Sequence, residues 1–534
     1  MEIQQNPFQP YIAIPLPIVP GNADFVKYQN LLDRIAKILD VSDIEKKYAT
    51  YEFDRINALT KSAKVNKAEA KKKEEKGSEA KLTPKEIDAI HGVSPKREES
   101  IKRNAVLSLR CNIVRILTQK DFRDLSIQLA DSYLLRRFCQ LDDPNAKQSP
   151  SKSKLQRMAA NTEASVIVDL VRKLIDVASQ PNGGLCKDGG LKEAISLDTV
   201  LMDSTCVELN IHFPTDWVLL RDAIHSMLNT IKTIRKHGLL HRMPRPETLH
   251  NKANKLAMQM TQASRRGAAD GRKVRKKTLR DLKKLTKVVQ SHGERYRALL
   301  QSRRGETDLS EKQAARLMEN LTHVLDQVPA AIQQAHERII GERLVKNDKK
   351  LLSLHEPHAK VYKRGKAGAD IEFGLQLQVC ENMEGLIVDW TLVEGAPMND
   401  STYVKKYLEK MRDEAPNLMP KTLVTDRGYS SEKNEKLLEE LGVKNMICPK
   451  SPVKMAEKSS SEEFMKCQKR RGQTEGRIGI LKQGFIGSRV PTKGRDHQEK
   501  HIAWAMLTHN LWVLARLPNR FDEEEESGSG QLRA

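Results

Sequence analysis

Three acidic residues stand where phosphoryl chemistry would want them. Asp203 closes the apolar, β-branched run Ala194–Asp203, Asp426 closes Thr422-Leu-Val-Thr, and Glu475 lies in a helical stretch loaded with Arg and Lys. In an open sheet, carboxylates at neighbouring strand ends converge on one crevice. A third from a packed helix then completes a cage of hard oxygen ligands for a divalent ion such as Mg²⁺, with Mn²⁺ as a substitute. Two such ions, about 3.5–4 Å apart, steady both the attacking and the leaving oxygen of an in-line displacement at phosphorus. The chemistry expected is phosphodiester cleavage or transfer, with no protein nucleophile. Arg471 precedes Glu475 by one helical turn and Lys482 follows it by two, close enough to hold a DNA phosphate beside the metals. Taken singly, each acid has a plainer use: Asp203 and Asp426 as caps of the turns after their strands, and Glu475 as a partner for Arg471 or Lys482.

The elements that must position these side chains are legible as changes of period. Ile371–Cys380 alternates with period two and Gly385–Val393 follows it, a hairpin signal. Asp400–Met411 reads as a helix, Thr422–Asp426 as a short buried strand, Ser431–Leu441 as a helix and Val443–Cys448 as a further strand. Strands interleaved with helices indicate a mixed α/β sheet. Glu98–Ser179 is helical, Ile502–Leu517 forms an apolar closing helix, and residues 218–350 return to helical spacing. Lys61–Lys85 is charged, of low complexity and unable to bury a core. Gln180–Gly190 lacks the Lys-Ser/Thr ending of a phosphate loop and reads as a connection. Leu354–Lys360 lacks the HExxH order, and Pro357 breaks helical presentation, so a loop is expected there instead of a metal site.

Composition narrows the partner. The chain of 534 residues carries a formal net charge of +22, which points to a polyanion, nucleic acid first. Aromatic residues make up only 4%, too few for reading single strands by repeated base stacking. The seven cysteines form no CxxC pair, so neither a zinc site nor a disulfide framework is indicated. Neither a secretory leader nor an apolar run of spanning length is expected, so no membrane partner is either. The densest positive stretch includes Arg272, Lys273, Arg275 and Lys276, expected to contact DNA, and Lys363 and Arg364 offer a second basic cluster.

In order along the chain, three blocks resemble the DDE transposases of bacterial insertion sequences. Met202–Asp216, with DST followed by a polar strand and PTD, resembles the first-aspartate block. Thr425-Asp-Arg-Gly-Tyr429 resembles the second. Arg471, Glu475 and Lys482 match the Y-x2-R-x3-E-x6-K signature, with Gln468 where the tyrosine would stand. Upstream, Asp121–Leu125, Leu129–Tyr133 and Arg136–Cys139 resemble the helical N-terminal domain of such enzymes.

The resemblance implies an RNase H-like catalytic core with a helical N-terminal domain and a helical insertion between the two aspartates. The domains expected are an N-terminal helical region with a charged linker (1–97), a helical DNA-binding domain (98–190), a catalytic domain (191–217 and 351–517), a basic insertion (218–350) and an acidic flexible tail (518–534). It further implies a bacterial cytoplasmic, nucleoid-associated enzyme that binds double-stranded DNA, both element ends and target. Asp203, Asp426 and Glu475 would serve as catalytic metal ligands, and at least a dimer would form in the DNA complex. A non-catalytic DNA-binding descendant of a transposase is the alternative, and loss of an acidic ligand would be its mark. None of the three is missing. A metal nuclease without strand transfer and a basic RNA-binding structural protein are weaker readings.

Overall fold

A computed structural model gives the protein's structure over residues 22–76, 82–141, 149–265, 268–363, 371–395 and 397–520. The acidic run Asp522–Glu526 and the basic residue Arg364 lie outside these described residues.

Among the described residues, nine helices come first: α1 (Ala23–Val41), α2 (Ile44–Lys76), α3 (Pro84–Asp88), α4 (Pro95–Thr118), α5 (Phe122–Asp131), α6 (Tyr133–Phe138), α7 (Lys152–Asn161), α8 (Ala164–Ala178) and α9 (Gly184–Lys187). The charged low-complexity run is helical as far as Lys76, because Ala, Lys and Glu are strong helix formers and an exposed helix needs no core of its own along that length. None of the described side chains from Lys61 onward in α2 is buried, in keeping with its composition.

After β1 (Thr199–Glu208) come α10 (Asp216–Lys236), α11 (Pro246–Ser264), α12 (Ala268–Arg303) and α13 (Glu311–Ala335). Then follow β2 (Lys360–Lys363), β3 (Ile371–Asn382), β4 (Ile387–Leu392), α14 (Asp400–Glu414), β5 (Thr422–Thr425), α15 (Glu432–Glu440), β6 (Lys444–Ile447), α16 (Pro452–Ser459), α17 (Glu462–Leu481) and α18 (Arg495–Leu514). Among the described residues, six strands form one mixed sheet in the order β2-β3-β1-β5-β6, with β4 also on β3. β1, β5 and β6 run parallel, and β2 and β4 are antiparallel to β3. Parallel pairs need long crossovers, and the helices between the strands supply them. This is the mixed α/β class expected from the sequence.

The described residues divide into two compact units, with β1 and β3 running through both. One unit comprises residues within Met1–Thr205, Leu377–Leu392 and Met398–Ala534, and so holds β5, β6, α17 and the N-terminal helices. Its centre is α18, buried on every side from His501 to Leu511, with the polar His501, Thr508, His509 and Asn510 included. Tyr48 of α2 meets Trp504 of α18 edge to face, with ring centroids 6.1 Å apart. Asn510 of α18 exchanges two 2.8 Å hydrogen bonds with the backbone of Ile387 and so occupies edge groups of β4 that would otherwise be open to a further strand. The other unit, Cys206–Gln376 with Val393–Pro397, is built on α10–α13. Ile224, Leu228, Leu282, Val289, Tyr296, Val328 and their neighbours form its own buried cluster.

Candidate active site

The sheet register makes the central juxtaposition. Met202 of β1 pairs with Thr425 of the parallel strand β5. Asp203 and Asp426 are therefore the next residues on adjacent strands, whose backbones run about 5 Å apart. β5 stops there: Asp426 leaves the sheet, its Oδ1 accepting from the Gly428 N–H over 2.8 Å to open the turn Arg427–Tyr429. Asp203 was expected to close its strand, but β1 continues to Glu208. The extension finds a second partner in β3, visible as the 3.3 Å bond from Leu209 N–H to the Phe373 carbonyl. Asp203 thus sits in mid-strand, half-buried, with Oδ1 turned back to the Ser204 N–H at 2.7 Å.

α17 crosses the same face. Its Phe464 and Cys467 pack with Leu201, Val424 and Met446 of the three parallel strands. One residue on, Gln468 donates through Nε2 to the carbonyls of Met446 (2.7 Å) and Thr425 (3.3 Å). One turn further, the Arg471 guanidinium stands near enough to Asp203 to favour its ionised form. Neighbouring residues tie the helix to β3: buried Arg470 reaches Glu381 at 3.0 Å and the carbonyls of Asn382 and Met383, while the Thr474 hydroxyl donates to the same Glu381 at 2.7 Å.

A carboxylate that the sequence reading did not single out joins the pair. Asp400 opens α14, and its Oδ1 accepts from Gln378 Nε2 at 3.1 Å; Gln378 Oε1 in turn accepts from the Tyr429 hydroxyl at 2.8 Å. A Cβ placed on Gly428 would stand 3.1 Å from Asp426 Oδ1 and 3.4 Å from Asp400 Oδ2, so the two carboxylates bracket that glycine. Nothing local marked Asp400, since an aspartate in a helix's first turn is commonplace.

Charge crowding shows in Asp203. Burial pushes its carboxyl up to about 6, and Asp426 and Asp400 add to the push against the Ser204 N–H and Arg471. The same three carboxylates, after burial itself, hold the Tyr429 hydroxyl well above its usual range. Such a site gains from a cation. Its donors are hard carboxylate oxygens, which suit Mg²⁺ or Mn²⁺. Mg²⁺ ordinarily takes one or two carboxylates and completes its shell with substrate phosphate and water, a demand that Asp203 and Asp426 meet. Among the described residues, no group of three or more His, Cys, Asp or Glu gathers closely enough to form a metal cage by itself.

Glu475 is exposed on α17, one turn beyond Arg471, and Lys482 is half-buried where that helix widens into a π turn. Arg272, Lys273, Arg275 and Lys276 belong to α12 in the other unit. Lys363 ends β2, and Arg364 is outside the described residues. Leu354–Ala359 joins neither helix nor strand, as its proline suggested.

Comparison with known proteins gives one match: residues 341–511 fit the family described as the transposase DDE domain. The matched span includes Asp400, Asp426, Arg471, Glu475 and Lys482 and begins after Asp203. No curated protein and no solved structure matches the chain.

Proposed function

We propose that the chain, whose residues 341–511 match the family described as the transposase DDE domain, is the DNA transposase of an insertion sequence. It binds the terminal inverted repeats, cuts a strand at each element end and joins that end to target DNA. The observation that carries the reading is the β1–β5 register, which sets Asp203 beside Asp426.

In the first step water adds to the phosphorus at the element end and the 3′-oxygen departs with a proton. In the second, the freed 3′-hydroxyl attacks a target phosphate and displaces another 3′-oxygen. Each step exchanges one P–O bond for another, so no energy-rich cofactor is consumed. Asp203 and Asp426 would hold Mg²⁺, with Glu475 as a further ligand, and the ion would supply Lewis-acid polarisation of the phosphate and of the attacking oxygen. Arg471 and Lys482 neutralise phosphate charge and orient the strand. The chain's own contribution is positioning and electrostatics. Two ends must react together, which calls for at least two copies of the chain in the working complex, on DNA in the bacterial cytoplasm. Among the described residues no helix is long and apolar enough to cross a membrane.

The test is strand cleavage of a duplex containing the element end, with and without Mg²⁺. Wild type cuts only with the metal, whereas Asp426→Asn loses cleavage by at least about 10³-fold and keeps DNA binding. Cleavage that survives in the variant would overturn the metal site. Binding by wild type with no cleavage under any divalent ion would favour the non-catalytic descendant instead.

A further inference from the structure

α12 carries its charge in two sets that the structure separates. Thr278, Leu279, Leu282, Leu285, Thr286 and Val289 are buried in the second unit's core. On the opposite side Lys273, Lys277, Arg280, Lys284 and Lys287 are all exposed. Their steps of four and three keep the five side chains within an arc of about 80° on a helix of 3.6 residues per turn. Among the described residues no ion pair joins any of them to a carboxylate.

The cations on the adjoining flank are engaged within the unit. Lys276 lies 2.7 Å and Arg272 3.9 Å from the Glu342 carboxylate, and Arg275 is near enough to help hold that carboxyl below its usual range. Lys283, on the same flank, meets the His336 ring at 3.0 Å. Glu342 itself sits at φ 55°, in the left-handed region, where a non-glycine residue needs holding. This flank therefore fastens the turn after α13, and the exposed arc is left with charge and no internal use.

We propose that Lys273, Lys277, Arg280, Lys284 and Lys287 form a seat for the sugar–phosphate backbone of duplex DNA, separate from the carboxylate site. The proposal rests on the reading of the chain as a DNA-processing enzyme and names the surface that holds the DNA. From Lys273 to Lys287 the helix rises about 21 Å. A strand winds as it rises, so a straight helix of that length meets roughly three or four phosphates of one strand, which the five cations of the arc are enough to cover. The arc contains no aromatic, Asn or Gln side chain, so it offers neither a stacking face nor the bidentate amide that reads adenine. Exposed cations in a row take up phosphate, and such a contact is steep in salt.

The experiment measures affinity for a random-sequence duplex of about 25 base pairs, from 50 to 300 mM salt, with the full chain and without divalent metal. Lys277→Gln/Lys284→Gln/Lys287→Gln should flatten the slope of log K against log salt by about 2.7 and weaken binding at 0.1 M salt by about two to three orders of magnitude. Arg272→Gln/Lys276→Gln, which breaks the contacts to Glu342, should lower the melting temperature. Circular dichroism of each variant confirms folding. Wild type binding with an unchanged slope in the triple variant overturns the seat while leaving the transposase reading intact. Failure of wild type to bind duplex DNA at all overturns that reading as well, and stronger binding to duplex RNA of the same length overturns the choice of partner.

Discussion

Arg471 donates through Nε to Oε1 of Gln468 across 2.9 Å. Because the other end of that amide is fixed to the Met446 and Thr425 carbonyls, the guanidinium beside Asp203 is hung from the backbone of β5 and β6. An amide has a donor and an acceptor on opposite arms, which the tyrosine of the family signature lacks. Gln468→Ala should cost about 1–2 kcal/mol of stability. It should slow end cleavage by about 10–100-fold, a loss of orientation with the metal ligands untouched. Cleavage at the wild-type rate would show that Arg471 needs no such support.

Asp203 makes stability depend on pH in an unusual direction. Its folded carboxyl titrates near 6, above the ordinary aspartate value, so between about pH 4 and 6 the native state holds a proton that the unfolded chain has lost. Its contribution is complete below pH 4 and disappears as the pH rises through 6. Metal-free Asp203→Asn should therefore be more stable than wild type at pH 7, by about 1–2 kcal/mol after discounting for partial exposure, and should match it near pH 4. Equal urea midpoints at both pH values would contradict the crowding of carboxylates. The same titration makes Mg²⁺ affinity fall as pH drops below 6, measurable by calorimetry on wild type.

Glu381 is buried and receives both Arg470 and Thr474. Arg470→Met leaves that carboxylate without its counter-charge and should destabilise the protein by about 3–5 kcal/mol, since an uncompensated buried charge is costly. Arg470→Met combined with Glu381→Leu should recover more than half of that loss. Urea unfolding of wild type and the two variants decides the matter; no recovery in the double variant would place the cost in helix packing.

Acid should weaken the protein through α18. His501 donates through Nε2 to the Ile486 carbonyl at 2.8 Å, and its Nδ1 faces the Arg115 guanidinium at 3.3 Å. Burial, with Arg115, holds it near 3, and burial holds His509 near 4. The unfolded chain takes up these protons near pH 6.5 and the folded one does not, so stability is complete above that pH and declines on acidification. The slope is at most about 1.4 kcal/mol per pH unit for each histidine. His501→Gln should remove that residue's share of the loss between pH 6.5 and 5, at most about 1.4 kcal/mol per pH unit, read from urea midpoints; an undiminished loss would place the acid sensitivity elsewhere.

Much of the fold was legible because the signals are local. Alternation in Ile371–Cys380 announced β3, the β-branched run ending at Asp426 announced β5, and helical spacing announced α4, α10 and α17. The limit of Asp203's strand was not legible. β1 passes the end of β5 by pairing with β3, residues distant in the chain. Asp400 was missed for the same reason: its importance comes from Gln378 and Tyr429, which local spacing cannot connect to it.

The sequence by itself determined which side chains are available, the face each helix buries and the excess of positive charge. Periodicity and composition act over one or two turns, and every copy of the chain carries them before it folds. Tertiary structure alone decided that Met202 meets Thr425, that Gln468 reaches two strands, and that Glu342 gathers three of the cations on α12 while five others face solvent. Those outcomes depend on strand register and helix docking, which are fixed by packing between segments far beyond the reach of local periodicity.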